Sequence, residues 1–248
     1  MAPRRRLDAE LVRRGLLPSR QQAQQAIDAG RVLVGGAPAD KAARLVAAGE
    51  PLTLRGPAPR YVSRGGLKLE AALDGFGVDP AGLRCLDAGV STGGFTDCLL
   101  QRGAASVVAV DVGHGVLHER LRADPRVTVL ERTNVRALDL AERFPLVTAD
   151  LSFISLRTVA AALLAHASAD LVLLVKPQFE AGRAEASKGR GVIVDPAVHE
   201  RVLEEVVVAF VGLGAVRMGA MRSPVTGADG NVELLLHLKV SHLKVGGG

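Results

Sequence analysis

The sequence predicts an open, mostly parallel α/β sheet preceded by a small module of helices and strands. From Leu83 onward, short apolar strand segments alternate with segments of helical periodicity, the pattern of a doubly wound sheet. The first of these strands, Leu83–Asp87, runs into a loop holding Gly89, Gly93 and Gly94 and then a helix near Phe95. A glycine turn between strand and helix is where such sheets admit a ligand to the backbone. The charge also changes along the chain: residues 1–70 hold 13 Lys/Arg against 6 Asp/Glu, and the remainder 18 against 20. The basic first quarter is an electrostatic footprint for a polyanion, attached to a near-neutral domain.

The bulk composition is that of a folded protein. The chain has 248 residues, 48% hydrophobic and 23% charged, enough for one domain of ordinary size and one small one. No apolar run is long enough for a membrane span. The start MAPRRRLDAELVRRG lacks the apolar core of a secretory signal, and Asp8 and Glu10 argue against a transit peptide. The expected setting is therefore the cytoplasm, where Cys85 and Cys98 would be buried free thiols.

Leu7–Arg14 and Gln21–Ala29 read as short amphipathic helices, joined by GLLPSR, with Ser19 as a candidate cap of the second. Gly30 ends that helix, Arg31–Val34 alternates as a strand, Gly35-Gly36 turns, and Pro51–Leu54 is a further strand. On helix lengths alone a helix-turn-helix DNA reader is a rival. The pattern RLDAELVRRGLLPSRQQAQQAIDAGRVLVGG, followed by Lys41 and PLTL, resembles an S4 domain. That resemblance implies recognition of structured RNA by shape and phosphate. The candidate RNA contacts are Arg4, Arg6, Arg14, Arg20 and Lys41, with Arg64 beyond the linker. The expected divisions are 1–56 for this module, 57–62 for a stiff linker, 63–242 for the larger domain and 243–248 for a tail.

In the larger domain a helix is expected over Leu67 to about Leu73. Strands are expected at Leu83–Asp87, Ser106–Asp111, Arg126–Leu130, Leu146–Asp150 and Asp170–Lys176. The intervening helices fall at Gly94–Arg102, Val116–Arg122, Ser155–Ala167 and Pro196–Val211, the last opened by Asp195-Pro196. Ala215–Met221 and Val232–Leu238 complete the sheet.

Three chemistries compete for the glycine loop. A nicotinamide fold needs G-x-G-x-x-G, and this loop reads G-x-x-x-G-G. Gly89-Val90-Ser91-Thr92-Gly93 fits the G-x-S-x-G elbow of hydrolases, but His237 falls inside a strand and no oxyanion segment precedes Ser91. The run D-x-G-x-x-x-G-G-F resembles motif I of S-adenosylmethionine-dependent methyltransferases. On that resemblance Asp87, Gly89, Ser91, Thr92, Gly93, Gly94 and Phe95 form the cofactor loop. Asp111, 22 residues beyond Gly89, is placed like the acid that binds the ribose hydroxyls. Asn134 is placed to touch adenine, and Asp150 also adjoins the donor. Asp111 could equally cap a helix, and Asn134 could be a turn residue.

Lys68, Asp150, Lys176 and Glu233 stand in the order of the Lys-Asp-Lys-Glu set of FtsJ-like ribose 2′-O-methyltransferases. Asp150 ends the fourth strand, Lys176 the fifth, and Glu233 lies on the last. Charges in such apolar strands are costly unless paired, so each could be a structural ion pair. A ribose hydroxyl is a very weak acid, and a lysine lowered from ~10.4 by burial or a second ammonium can take its proton. Lys68 and Lys176 would supply such a pair, Asp150 orienting Lys176 and Glu233 balancing the other charge.

His114 and His118, four apart, could share a helix face, but no third metal ligand accompanies them, so no metal is expected. Phe95, Phe153 and Phe179 read as core more readily than as base-stacking surfaces. Taken together, YVSRGGLKLEAAL, LDAGVSTGGFTDCLL, ERTN, ADLSFISL and LVKPQFE behind an S4-like module resemble the TlyA family. The resemblance implies an enzyme that 2′-O-methylates cytidine in ribosomal RNA within ribosomal subunits, 23S and for some members also 16S, and a monomer is expected. It also carries the family's haemolysin label. The alternative is a non-catalytic RNA-binding or membrane-active protein with a vestigial sheet domain. For 16S the two ends disagree: the Arg-rich start resembles the dual-specificity type, whereas SHLKVGGG replaces its extra terminal helix.

Overall fold

The computed structural model describes residues 4–17, 20–56, 59–182, 185, 191–227 and 230–241. The expected Ser19 cap, the first two residues of the linker and the tail lie outside them. The chain divides into two compact units, Met1–Arg60 and Tyr61–Gly248.

In the first unit, α1 (Leu7–Arg13) and α2 (Arg20–Asp28) pack on a three-stranded antiparallel sheet. Its strands are β2 (Val32–Val34), β3 (Ala37–Pro38) and β5 (Leu52–Leu54), with β2 central. Two-residue strands β1 (Arg5–Arg6) and β4 (Leu45–Val46) pair beside it. Leu7 and Leu11, one turn apart on α1, join Ile27, Val32 and Val46 in the core. Asp8 and Glu10 on the same helix are also buried. Each is satisfied by arginines: Asp8 by Arg6 and Arg20, Glu10 by Arg13 and Arg14. The Arg6 guanidinium is the main reason the Asp8 carboxyl falls to about 2.

The second unit is built on a seven-stranded sheet in the order β11-β12-β10-β9-β6-β7-β8. Its strands are β6 (Arg84–Ala88), β7 (Ser106–Val110), β8 (Val127–Leu130), β9 (Phe144–Ala149), β10 (Ala167–Val175), β11 (Ala215–Arg222) and β12 (Leu234–Val240). Strands β6 to β10 run parallel, and β12 is antiparallel to both β10 and β11. The period-two alternation sends Leu86, Ala88, Val147, Leu171 and Leu236 into one core and Cys85, Leu146, Val172 and Leu235 into the other. Burial on both faces is why these strands read as continuous apolar runs. One core is covered by α3 (Gly65–Phe76) and α4 (Gly94–Gln101), the other by α6 (Ala160–Ala165) and α8 (Pro196–Val211). Among the described residues, no helix is long and apolar enough to cross a membrane.

Several expectations change. Helix α3 begins two residues early, because Gly66 has no Cβ to strike the Tyr61 side chain lying against it. The expected Ser155–Ala167 helix is a 3-10 turn, Leu156–Thr158, and then α6, and Ala167 already belongs to β10. The expected Val116–Arg122 helix shrinks to α5 (Glu119–Arg122). His118 is its N-cap, and His114 instead bonds Glu131 on a loop, so the two histidines share no helix face. Glu233 sits just before β12 rather than on it.

Candidate active site

Strand order reverses direction at β6: the chain proceeds from it to β7 and β8 on one side, then returns to β9 on the other. A doubly wound sheet opens a crevice at this switch point, outside the carboxyl ends of the strands. The glycine loop follows β6 and Asp150 follows β9, so both lie at the crevice. Ala88 pairs with Ala149, and the Asp150 N–H donates to Ala88 O at 3.0 Å.

The loop's glycines serve protein packing. A Cβ on Gly89 would lie 2.6 Å from Asp150 O, and one on Gly94 would meet Ser63 and lie 2.8 Å from Gly66 N. One on Gly93 would strike Leu121 and lie 2.7 Å from Leu117 Cδ1. On the side where a Cβ would stand, these glycines are required by neighbouring backbone and side chains, while Gly89 and Gly94 also line the cavities of the crevice. Asp87 lies beneath the loop. It is fully buried, accepting from Thr96 Oγ1 at 2.6 Å and Thr148 Oγ1 at 3.1 Å, and it lines neither cavity of the crevice. Its carboxylate ties β6 to α4 and β9 beneath the loop.

Two adjoining cavities occupy the crevice, of about 470 and 100 Å³. Gly89, Ser91 and Asp150 line both. The larger also meets Asp111, Asn134, Val112 and Val135, the smaller Lys68, Thr92, Gly94 and Phe95. Asp111 accepts from the Ser91 N–H at 2.8 Å and the Gly113 N–H at 2.7 Å, fixing the loop. A carboxylate has about four lone-pair positions, so two such bonds leave room for a ligand's hydroxyls. Ser91 itself holds a positive φ of 48°. Asn134 caps the 3-10 turn Val135–Ala137 through Oδ1, which gives it the turn role weighed above.

The four charges form two ion pairs. Lys68 Nζ is bonded to Glu233 Oε2, and Lys176 Nζ lies 2.5 Å from Asp150 Oδ1. Lys68 and Asp150 line the same small cavity, which brings the two pairs to one place. Both lysines are 8% exposed and Glu233 3%. Leaving either partner alone at such burial is strongly unfavourable. Sequence reasoning missed two supports. Lys176 also donates to Ser152 Oγ at 2.8 Å, and Gly227 lets its loop close on Glu233, whose carboxylate a Cβ would strike. Phe95 is core, but Phe153 stands 91% exposed beside the cavity with φ 65°, its ring 5.2 Å from that of Phe179.

A further cavity of about 510 Å³ lies toward the opposite end of the sheet, around Phe76 and a His237–Asp170 pair at 2.6 Å. Neither the glycine loop nor any of the four charges lines it, so we place the chemistry at the crevice.

The candidate RNA contacts fare unequally. Arg14 is committed internally, to Glu10 at 2.8 Å and to the carbonyls of Ala47, Ala48 and Glu50. Arg6 and Arg20 are shared with Asp8, and Arg64 donates to Thr226 O at 2.8 Å. Arg4 and Lys41 are exposed, with no ion pair among the described residues.

The FtsJ-like methyltransferase family matches residues 61–240 and the S4 domain residues 5–52. The 16S/23S rRNA (cytidine-2′-O)-methyltransferase TlyA of Mycobacterium tuberculosis is 53% identical over 96% of this chain and 91% of its own. The solved structure of a hemolysin-named protein from Streptococcus thermophilus superposes with a TM-score of 0.77 at 40% identity, covering 98% of this chain and 90% of that one. The N-methyltransferase NodS of Bradyrhizobium japonicum, in complex with S-adenosyl-L-homocysteine, shares the fold at a TM-score of 0.52 and 16% identity over 71% of this chain and 85% of its own.

Proposed function

Since the chain belongs to the FtsJ-like methyltransferases, in the TlyA family that places an S4 domain before them, we propose that it 2′-O-methylates a cytidine of ribosomal RNA in the cytoplasm, as a monomer, with S-adenosylmethionine as donor. The observation that carries this reading is the convergence of two buried ion pairs, Lys68–Glu233 and Asp150–Lys176, on the small cavity that adjoins the glycine loop.

The residues present suit that donor. Asp111 has lone pairs left for ribose hydroxyls, and Val112 and Val135 offer apolar walls to adenine beside Asn134. When bound, S-adenosylmethionine supplies a sulfonium methyl group. The chain's own part is to hold the acceptor hydroxyl in line with it, which supplies much of the rate. Lys68 or Lys176, in its uncharged amine form, would take the O2′ proton of the acceptor, and the donor would supply the methyl group with its sulfur keeping the bond pair. Asp150 and Ser152 fix the Lys176 amine, and Glu233 fixes that of Lys68. Phe153 offers an exposed aromatic face to the acceptor base. Arg4 and Lys41 are exposed cations of the S4 domain, with no ion pair among the described residues to hold them from phosphate.

The test is to incubate unmodified ribosomal subunits with protein and donor and map 2′-O-methyl groups on both RNAs. A new methyl on a cytidine of 23S RNA is expected, and the same assay reads 16S. Lys176→Ala and Lys68→Ala should abolish transfer while donor binding, followed by calorimetry, stays within about 3-fold. Full activity in both variants, or no methyl on either RNA with donor bound, overturns the reading.

A further inference from the structure

We propose that Glu180 is a positioning residue of the transfer reaction, fixing from outside the cavities the 150–155 loop that carries Asp150 and Ser152 to Lys176. This rests on the function proposed above. Helix α7 (Pro177–Glu180) begins directly after Lys176, so Glu180 lies one turn beyond that lysine. Its side chain is buried and both carboxylate oxygens are used by one short stretch. Oε2 accepts from Ser155 Oγ at 2.5 Å, and Oε1 accepts from the Leu156 N–H at 2.6 Å. Arg157 closes the same turn, with Nε 3.5 Å from the carboxylate and Nη2 donating to Glu180 O at 2.7 Å.

The loop is therefore held at both ends. At its start the Asp150 N–H is bonded to Ala88 O, and at its end Ser155 and Leu156 are bonded to Glu180. Between them, Asp150 through Ile154 line the larger cavity, and Ser152 receives a hydrogen bond from Lys176. Phe153 sits in the same span at a positive φ, a conformation that persists only where the surroundings over-determine it. A buried carboxylate is itself unfavourable unless its lone pairs are met. Burial pushes the Glu180 carboxyl up, and bonds from Ser155, Leu156 and Arg157 oppose that shift. Capping the 3-10 turn does not by itself call for a buried acid, because Ser155 Oγ already accepts from the Arg157 N–H at 3.2 Å. What Glu180 adds is a rigid link from the lysine's own helix to the loop that meets the lysine.

The test compares Glu180→Ala, Glu180→Gln and Ser155→Ala in the full-length protein. Glu180→Ala should lower kcat by about 10–100-fold, the scale of a 1 Å misplacement, while the donor Kd stays within about 3-fold. Amide hydrogen exchange over residues 151–156 should quicken about tenfold or more. Glu180→Gln should restore most of the rate, since its carbonyl still accepts from Leu156 and its amide can donate to Ser155 Oγ. Ser155→Ala keeps the Leu156 bond and should show a smaller loss with the same split, which serves if Glu180→Ala does not fold. Unchanged kcat in folded Glu180→Ala or folded Ser155→Ala, or a loss confined to donor affinity, overturns the proposal. If the unaltered protein transfers no methyl group, the functional reading fails, and loop exchange in Glu180→Ala alone decides whether Glu180 fixes the loop.

Discussion

A carboxylate inside a sheet is an expensive residue, and Asp87 shows how the cost appears in pH dependence. Burial pushes its carboxyl up from 3.8 to about 7, against the pull of hydrogen bonds from Thr96 and Thr148. Between those two values the folded chain holds a proton that the unfolded chain has released. The stability this group contributes is therefore present at low pH and is lost as pH rises toward 7. At 1.4 kcal/mol per pH unit, the loss is on the order of 1–4 kcal/mol. Asp87→Asn cannot titrate, and its amide can still bridge the two threonine hydroxyls. Urea unfolding at pH 5 and pH 8 should show a steeper loss in the unaltered protein than in the variant. Equal losses would mean that Asp87 is not the group responsible.

At the scale of elements, the loop between β6 and α4 is shaped by its protein neighbours. Gly93 has φ 99°, and an added Cβ would meet Leu121 and Leu117. Gly115, at φ 67°, has nothing within 4 Å of an added Cβ. Gly93→Ala should thus cost about 2–4 kcal/mol, combining backbone strain with overpacking, and weaken donor binding. Gly115→Ala should cost about 1 kcal/mol, backbone strain alone. Denaturant midpoints and calorimetry on the two variants check the difference, and similar costs would refute the packing account. The same contrast explains what the sequence revealed. The parallel strands were legible because both faces are buried, and Pro196–Val211 because Asp195-Pro196 marks its start. The reversal of strand order at β6 left no trace in periodicity, nor did the split of the 155–165 segment, whose turn is held by Glu180 from a distant part of the chain. The four charges could be named because their order resembles the Lys-Asp-Lys-Glu set of FtsJ-like enzymes. Strand order is what brings the partners together, Lys68 with Glu233 across 165 residues and Lys176 with Asp150.

For the molecule as a whole, the bulk charge overstates what the first unit can offer a polyanion. Its arginines are numerous, but Arg6, Arg13, Arg14 and Arg20 surround the buried Asp8 and Glu10. Such cations stabilise the unit first and meet phosphate second. Arg14, with four internal acceptors, is a structural tie. Lys41 is exposed and carries no ion pair among the described residues. The two should therefore behave differently in one experiment, the salt dependence of binding to ribosomal RNA. Each phosphate contact releases counterions, so losing one lowers the log–log slope by about 1. Lys41→Ala should weaken binding at low salt and reduce the slope by about that amount, with the unfolding midpoint unchanged. Arg14→Ala should leave the slope alone but lower stability by about 1–3 kcal/mol, because it leaves a buried Glu10 with one partner fewer. If instead Arg14→Ala reduces the slope in a folded protein, its internal bonds give way to RNA, and the basic surface is larger than the free chain presents. That outcome would return Arg6 and Arg20, bound to Asp8 by the same kind of contact, to the set of RNA-facing cations.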